Sequence, residues 1–219
     1  MASKYTLDRI FKTGIVSILR APSSDGLVEV AEALLAGGVD IIEVTFTTPG
    51  AHRVVEQVAD RLGDRIVLGA GSILDTETAR VAMLAGAQFI VAPTVNLDVI
   101  KMCRRYAVPV MPGAMTPTEV LTAWEAGADV IKVFPSEVTG PALIKAIRGP
   151  LPQIPLMPTG GVNLNTAGDF LRAGAVALGA GGALAPAAAI AGGDLATIEN
   201  NAKQFIEVIE KTRAELKAG

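Results

Sequence analysis

A short helix stop recurs along this chain at a spacing that few folds can accommodate. Ala36-Gly37-Gly38-Val39-Asp40, Ala85-Gly86-Ala87, Ala126-Gly127-Ala128-Asp129 and Ala173-Gly174-Ala175 each follow a helical stretch and lead into an apolar run. Glycine just past the last periodic residue marks a helix end, because the chain there enters positive φ. Successive stops lie 49, 41 and 47 residues apart, about two strand–helix units each. Weaker stops fall between them at Leu62-Gly63-Asp64, Tyr106-Ala107 and Arg148-Gly149-Pro150.

The runs after these stops are short, apolar and mostly β-branched, which predicts buried parallel strands. Eight candidates follow: Ile15–Leu19, Val39–Thr45, Ile66–Leu68, Phe89–Val91, Val108–Met111, Val130–Phe134, Pro155–Met157 and Ala175–Leu178. Helical patterns separate them, a short helix over Lys4 to Lys12 precedes the first, and a long helix from Leu195 to Leu216 closes the chain. Eight alternating units in 219 residues predict an α/β fold, a (β/α)8 TIM barrel with a short N-terminal helix. An open doubly wound sheet would carry a glycine-rich phosphate loop after its first strand. Ile15 to Pro22 has none. No linker divides the chain, so residues 1–219 read as one domain.

Composition narrows the partners. Net charge is −3 with no Lys/Arg block, which argues against nucleic acid. A single cysteine, Cys103, permits no internal disulfide and fits a reducing, cytoplasmic setting as a small packing residue. A single histidine, His52, leaves no His-rich metal site, and it reads as a surface residue at a helix start. Met1 to Phe11 is too polar for a signal peptide, and Ala173 to Gly193, apolar over a membrane-span length, is broken by Pro186 and paired glycines. That stretch reads as strand, glycine loop and connector, with no membrane partner.

In a barrel, active residues gather at the C-terminal strand ends. Those ends carry Arg20, Glu43, Thr45, Thr47, Ser72, Pro93, Met111-Pro112-Gly113, Lys132, Phe134, Thr159-Gly160-Gly161 and Gly179 to Gly182. In the second run Ile42, Val44 and Phe46 form a wholly apolar face, so Glu43 and Thr45 face inward with Ile41. Val130, Lys132 and Phe134 likewise share a face. A lysine within so apolar a run is unusual. Desolvation favours its neutral amine, a nucleophile for carbonyl carbon, and a nearby carboxylate is the proton shuttle such chemistry needs. The plainer reading is a snorkelling lysine or a structural ion pair with Glu43. Glycine clusters ending the seventh and eighth runs suit a phosphate held by backbone N–H groups.

These residues also carry a resemblance. Gly38 to Phe46, Gly69-Ala70-Gly71-Ser72, Phe89 to Pro93, Met111 to Glu119, Ile131 to Pro135 and Pro158 to Val162 are similar, in order, to the 2-dehydro-3-deoxy-phosphogluconate (KDPG) / 4-hydroxy-2-oxoglutarate aldolase family. The resemblance implies a class I aldolase, a cytoplasmic homotrimer using neither metal nor cofactor, acting on a keto acid or phosphosugar acid. It implies Lys132 as the Schiff-base lysine and Glu43 as the proton-transfer group. Thr159, Ser72 and Pro93 would line the pyruvyl pocket, with Phe134 against the keto acid. Gly160-Gly161 and Gly181-Gly182 would hold the phosphate, with Arg20 as a further anion contact. Three positions depart from the family pattern. Thr47 stands where many members have arginine, Ser72 where threonine is common, and Gly182 where serine is common. The implied reaction cleaves 2-dehydro-3-deoxy-6-phosphogluconate to pyruvate and glyceraldehyde 3-phosphate, with 4-hydroxy-2-oxoglutarate as a second substrate. The galactonate epimer, or a non-covalent phosphosugar isomerase or epimerase barrel, are the alternatives.

Overall fold

A computed structural model describes residues 2–218. Helix α1 (Ala2–Thr13) leads into β1 (Ile15–Leu19), and strands and helices then alternate. They run α2 (Leu27–Ala36), β2 (Ile41–Thr45), α3 (Ala51–Leu62), β3 (Val67–Gly71), α4 (Thr76–Leu84), β4 (Phe89–Val91) and α5 (Leu97–Arg105). After these come β5 (Val110–Met111), β6 (Gly113–Ala114), α6 (Pro117–Glu125), β7 (Ile131–Val133), α7 (Gly140–Arg148), β8 (Leu156–Pro158), α8 (Ala167–Arg172) and β9 (Leu178–Ala180). Helices α9 (Ala187–Gly192) and α10 (Leu195–Ala218) end the chain.

All strand pairs are parallel, in a six-stranded sheet ordered β5-β4-β3-β2-β1-β9 and a three-stranded sheet ordered β6-β7-β8. One bridge pair, Thr159 with Gly179, joins the end of β8 to β9. The sheets curl, since residues from both meet in one inner cluster. Val16, Ile41, Val67, Phe89, Val91, Met111, Val130, Met157 and Ala177 all belong to it. Ile10 of α1 is fully buried in the same cluster, with Leu7 and Phe11 packed alongside. The N-terminal helix therefore covers one end of the inner cluster. Outward-facing Ile42, Val44, Leu68 and Ala70 join the larger cluster that packs against the helices.

Inner packing explains where the strands depart from expectation. The third strand runs on through Gly69 to Gly71, beyond the expected Leu68. Glycine is a poor strand former. Here it is required: a Cβ on Gly69 would strike the Phe89 ring, which fills the space that glycine leaves. Burying such a ring is worth about 1.5–3 kcal/mol. The fifth strand begins at Val110 rather than Val108, and beyond Pro112, which has no N–H to give a ladder, Gly113 and Ala114 form a further short strand. The last strand begins at Leu178 rather than Ala175, so Gly179 and Ala180, expected in a loop, pair with Val16 and Ser17. The connector expected before Gly193 contains helix α9.

Two arginines fix α1. Arg9 pairs with Asp40 at 2.6 Å and donates to the carbonyls of Asp64 and Arg65. Arg213 of α10 donates to the carbonyls of Lys12 and Phe11 at the end of α1 and to Val176 ahead of β9. Its guanidinium lies where a Cβ on Gly14 would be. Cys103 is fully buried, and burial together with the nearby Asp129 pushes its thiol up to about 12, so it packs rather than reacts. His52 is exposed at the start of α3. The Thr116–Glu119 part of the Met111 to Glu119 motif is a capping box opening α6: the Glu119 N–H donates to the Thr116 hydroxyl, and the Thr116 N–H to the Glu119 carboxylate.

Candidate active site

Glu43 is fully buried on the inner face of β2. Neither of its carboxylate oxygens has a hydrogen-bond partner among the described residues. Room for it comes from β3: a Cβ on Gly71 would collide with Oε1. The Gly69-Ala70-Gly71 stretch thus accommodates a phenyl ring at one level and a carboxylate at the next. Burial raises the proton affinity of Glu43 above that of an ordinary glutamate, and the charges of Lys132 and Arg20 oppose it. Leaving a carboxylate so enclosed and unpartnered costs stability, which makes Glu43 a candidate for chemistry.

Lys132 is 6% exposed in the middle of β7, and its Nζ lies 5.1 Å from the centre of the Phe134 ring. Lys132 and Glu43 form no ion pair among the described residues. The structural ion pair open on sequence grounds is therefore absent among the described residues, and Lys132 bears on the carboxylate as a nearby charge.

Thr159 follows β8, is 5% exposed and has a hydroxyl without a partner among the described residues. Its backbone is clamped. Its N–H donates to the Val133 carbonyl at 2.9 Å and to the Ser136 hydroxyl at 3.3 Å, and its carbonyl accepts from the Ser136 N–H at 2.8 Å. The Ser136 hydroxyl in turn donates to the Val133 carbonyl at 2.7 Å. Ser136 thus ties the strand bearing Lys132 to the strand bearing Thr159.

Above Phe134 and Thr159 opens a cavity of about 420 Å³. Arg20, Gly160, Gly161, Gly181 and Gly182 line it, with Phe134 and Thr159 at its edge. Gly160 and Gly161 both take positive φ, at 91° and 69°, which side-chain-bearing residues rarely adopt. Seven of the expected site residues therefore share one cavity. Lys132 and Glu43 do not line it; Lys132 adjoins it through the Phe134 ring.

The remaining four expected residues lie apart from the cavity. Thr45 is buried and its hydroxyl lies 3.1 Å from that of the exposed Thr47 and 3.5 Å from that of Thr48. Thr48 accepts from the Ala21 N–H, joining this hydroxyl group to the end of β1. Ser72, just past β3, has φ 61°, a left-handed conformation that costs a non-glycine residue about 1–3 kcal/mol. Pro93 places its carbonyl against Gly113, where no side chain would fit.

Two residues of this region escaped the sequence reading. Ser136 clamps Thr159, and Glu137 puts a carboxylate into the cavity. Their one signal was position, immediately after Phe134-Pro135 at a strand's C-terminal end. Among the described residues, no group of His, Cys, Asp and Glu is arranged to hold a metal ion, and no helix is long and apolar enough to cross a membrane.

The family model described as KDPG and KHG aldolase matches residues 7–201. A 2-dehydro-3-deoxy-phosphogluconate aldolase from Treponema pallidum is 33% identical over 204 residues, 93% of this chain and 95% of that protein. A 2-dehydro-3-deoxy-6-phosphogalactonate aldolase from Escherichia coli is 33% identical over 78% of this chain and 83% of its own length. A KDPG aldolase from Legionella pneumophila, solved with pyruvate captured as a covalent carbinolamine intermediate, superposes with a TM-score of 0.83 at 26% identity, covering 89% of this chain and 95% of that one. The chain belongs to the KDPG and KHG aldolase family of carbon–carbon lyases.

Proposed function

We propose that this protein is a class I aldolase cleaving 2-dehydro-3-deoxy-6-phosphogluconate to pyruvate and glyceraldehyde 3-phosphate, with Lys132 as nucleophile and Glu43 as proton shuttle. The observation that carries this reading is the buried, unpartnered Glu43 carboxylate, whose proton affinity is shifted partly by Lys132. The Lys132 amine adds to the C2 ketone, giving a carbinolamine. Glu43 delivers the proton with which hydroxide leaves as water, and an iminium forms. Loss of the C4 hydroxyl proton breaks C3–C4. The bonding electrons pass into the iminium as an enamine, and the aldehyde departs. Protonation at C3 and hydrolysis then release pyruvate and restore the amine. Thr159, Ser72 and Pro93 serve the pyruvyl end, and Thr45 and Thr47 contribute hydroxyls to substrate binding. Phe134 covers the keto acid. Arg20, Gly160, Gly161, Gly181 and Gly182 face the distal end, where the cavity suits a phosphate.

A single domain closed into a (β/α)8 barrel is part of this proposal. The Thr159–Gly179 bridge and the one-residue gap at Pro112 between β5 and β6 support it. So is a cytoplasmic homotrimer. Large apolar side chains stand exposed on and around α4 and α5, including Leu74 at 58% and Leu84 at 70%, with Val81, Leu97 and Tyr106 nearby. Such a patch favours a partner surface. Native mass measurement is expected to give three chains; a monomer at micromolar concentration contradicts it.

A second substrate reading, the C4-epimeric galactonate, is favoured by the Escherichia coli relative. Pyruvate release from the gluconate substrate, its galactonate epimer and 4-hydroxy-2-oxoglutarate separates the readings. The gluconate substrate is expected to give the highest kcat/KM. Faster cleavage of the epimer would move the assignment to the galactonate enzyme, and no pyruvate from any of the three would overturn the aldolase reading.

A further inference from the structure

The Thr159 side chain ends in a hydroxyl that nothing in the fold bonds. The residue is 5% exposed, and Oγ1 has no partner among the described residues. It lies against Gly179, where a Cβ would strike it. A buried hydroxyl left open suits a polar atom of the bound keto acid. With no bond of its own, it is only as well placed as the Thr159 main chain. Two glycines follow, Gly160 and Gly161, both at positive φ, and glycine restrains a chain least. The restraint comes from Ser136, which is fully buried and does not line the cavity. Its N–H donates to the Thr159 carbonyl at 2.8 Å. Its hydroxyl donates to the Val133 carbonyl at 2.7 Å and accepts from the Thr159 N–H at 3.3 Å. Its own carbonyl accepts from the Gly140 N–H at 2.8 Å and from the Thr139 N–H at 3.3 Å. Every polar atom of Ser136 is thus engaged, and Val133, to which it bonds, is the residue next to Lys132.

Resting on the aldolase reading above, we propose that Ser136 is a positioning residue for the covalent step. It touches no substrate. It locks Val133 to Thr159 and so fixes the Thr159 hydroxyl relative to the Lys132 amine. Reacting groups have to be held close to their productive geometry, and a misplacement of about 1 Å can cost about 10^2-fold in rate. Deleting the Ser136 hydroxyl leaves two main-chain bonds in place, from the Thr159 N–H to the Val133 carbonyl at 2.9 Å and from the Ser136 N–H to the Thr159 carbonyl. The strand pairing therefore survives while Thr159 gains freedom. A rate loss of about tenfold, short of that limit, is expected.

The test is a double-mutant cycle of Ser136→Ala and Thr159→Val, read as kcat and KM for 2-dehydro-3-deoxy-6-phosphogluconate with a thermal melt of each protein. Ser136→Ala is expected to lower kcat about tenfold and to move KM by less than about threefold. Thr159→Val should cost at least as much, since it removes the group that Ser136 positions. In the Thr159→Val background there is no hydroxyl left to place, so adding Ser136→Ala should lower kcat by less than about twofold. A merely structural role would lower kcat by the same factor in both backgrounds. Equal losses in the two backgrounds, or a loss below about twofold for Ser136→Ala alone, overturn the inference. Should the alanine variant not fold, Ser136→Cys, which puts a weaker donor in the same place, is carried through the same cycle. Borohydride trapping with pyruvate on the wild type keeps the failures apart. No adduct overturns the aldolase reading and this inference with it, whereas an adduct with equal losses overturns this inference alone.

Discussion

Lys132→Ala is expected to lower pyruvate release by on the order of 10^5-fold or more, the scale on which covalent enzymes lose rate when their nucleophile is deleted. The loss should fall on kcat as well as kcat/KM, because the covalent step is removed rather than weakened. Lys132→Arg makes the expectation specific. Arginine keeps a positive charge near Glu43 but its guanidinium does not form a Schiff base, so it should be about as inactive as alanine. A purely electrostatic role for Lys132 would instead let arginine restore much of the rate. Lys132 is nearly buried on the inner face of β7, so both variants need a thermal melt beside the assay. A folded alanine variant with near-normal cleavage would refute the mechanism.

Glu43→Gln should act in opposite directions on activity and stability. Removing a positioned proton-transfer group lowers kcat by about 10^2–10^4-fold. The limb of the kcat/KM profile that reports Glu43 titrating should disappear with it. Stability follows from the direction of the shift. Burial raises the folded-state proton affinity of Glu43, against the opposing charges of Lys132 and Arg20. The folded protein therefore binds this proton more tightly than the unfolded chain does. That contribution to stability is fully present below the unfolded glutamate's pKa and is lost as pH rises through the raised folded value. Glutamine carries no charge at any pH. The variant's melting temperature should therefore rise relative to wild type as pH climbs above the unfolded glutamate's value of about 4.3. Activity within threefold of wild type, or a melting difference that stays flat as pH climbs, would contradict the account.

Much of this fold was legible because its signals are local. Ile15–Leu19 and Phe89–Val91 are strands with the bounds read from sequence, being β-branched or aromatic runs between clear stops. The inward placing of Glu43 was also legible, since the all-apolar face of Ile42 and Val44 left only one side for the carboxylate. Glycine-rich segments were not. Gly69 and Gly71 belong to β3 because Phe89 and Glu43 lie against them, a tertiary reason that no propensity expresses. Gly179 and Ala180 pair with β1 for the same kind of reason: a Cβ on Gly179 would strike the Thr159 hydroxyl. Helix α9 lies in an alanine–glycine stretch without polar periodicity.

The site divides in the same way. Strand-end residues facing inward were readable from alternation. Ser136 and Glu137 lie in the irregular segment after Pro135, where neither period nor motif applies, and only the fold brings them onto Thr159 and Gly160. Thr45, Thr47, Ser72 and Pro93 end strands as expected yet lie outside the cavity, because a strand's end fixes height along the fold and not which neighbours share a pocket.

Borohydride trapping with pyruvate, followed by peptide mass mapping, reads the covalent role of Lys132. A reduced pyruvyl adduct is expected on the peptide holding Lys132, absent from Lys132→Ala. No adduct on folded protein at saturating pyruvate, or an adduct on a different lysine, would contradict it.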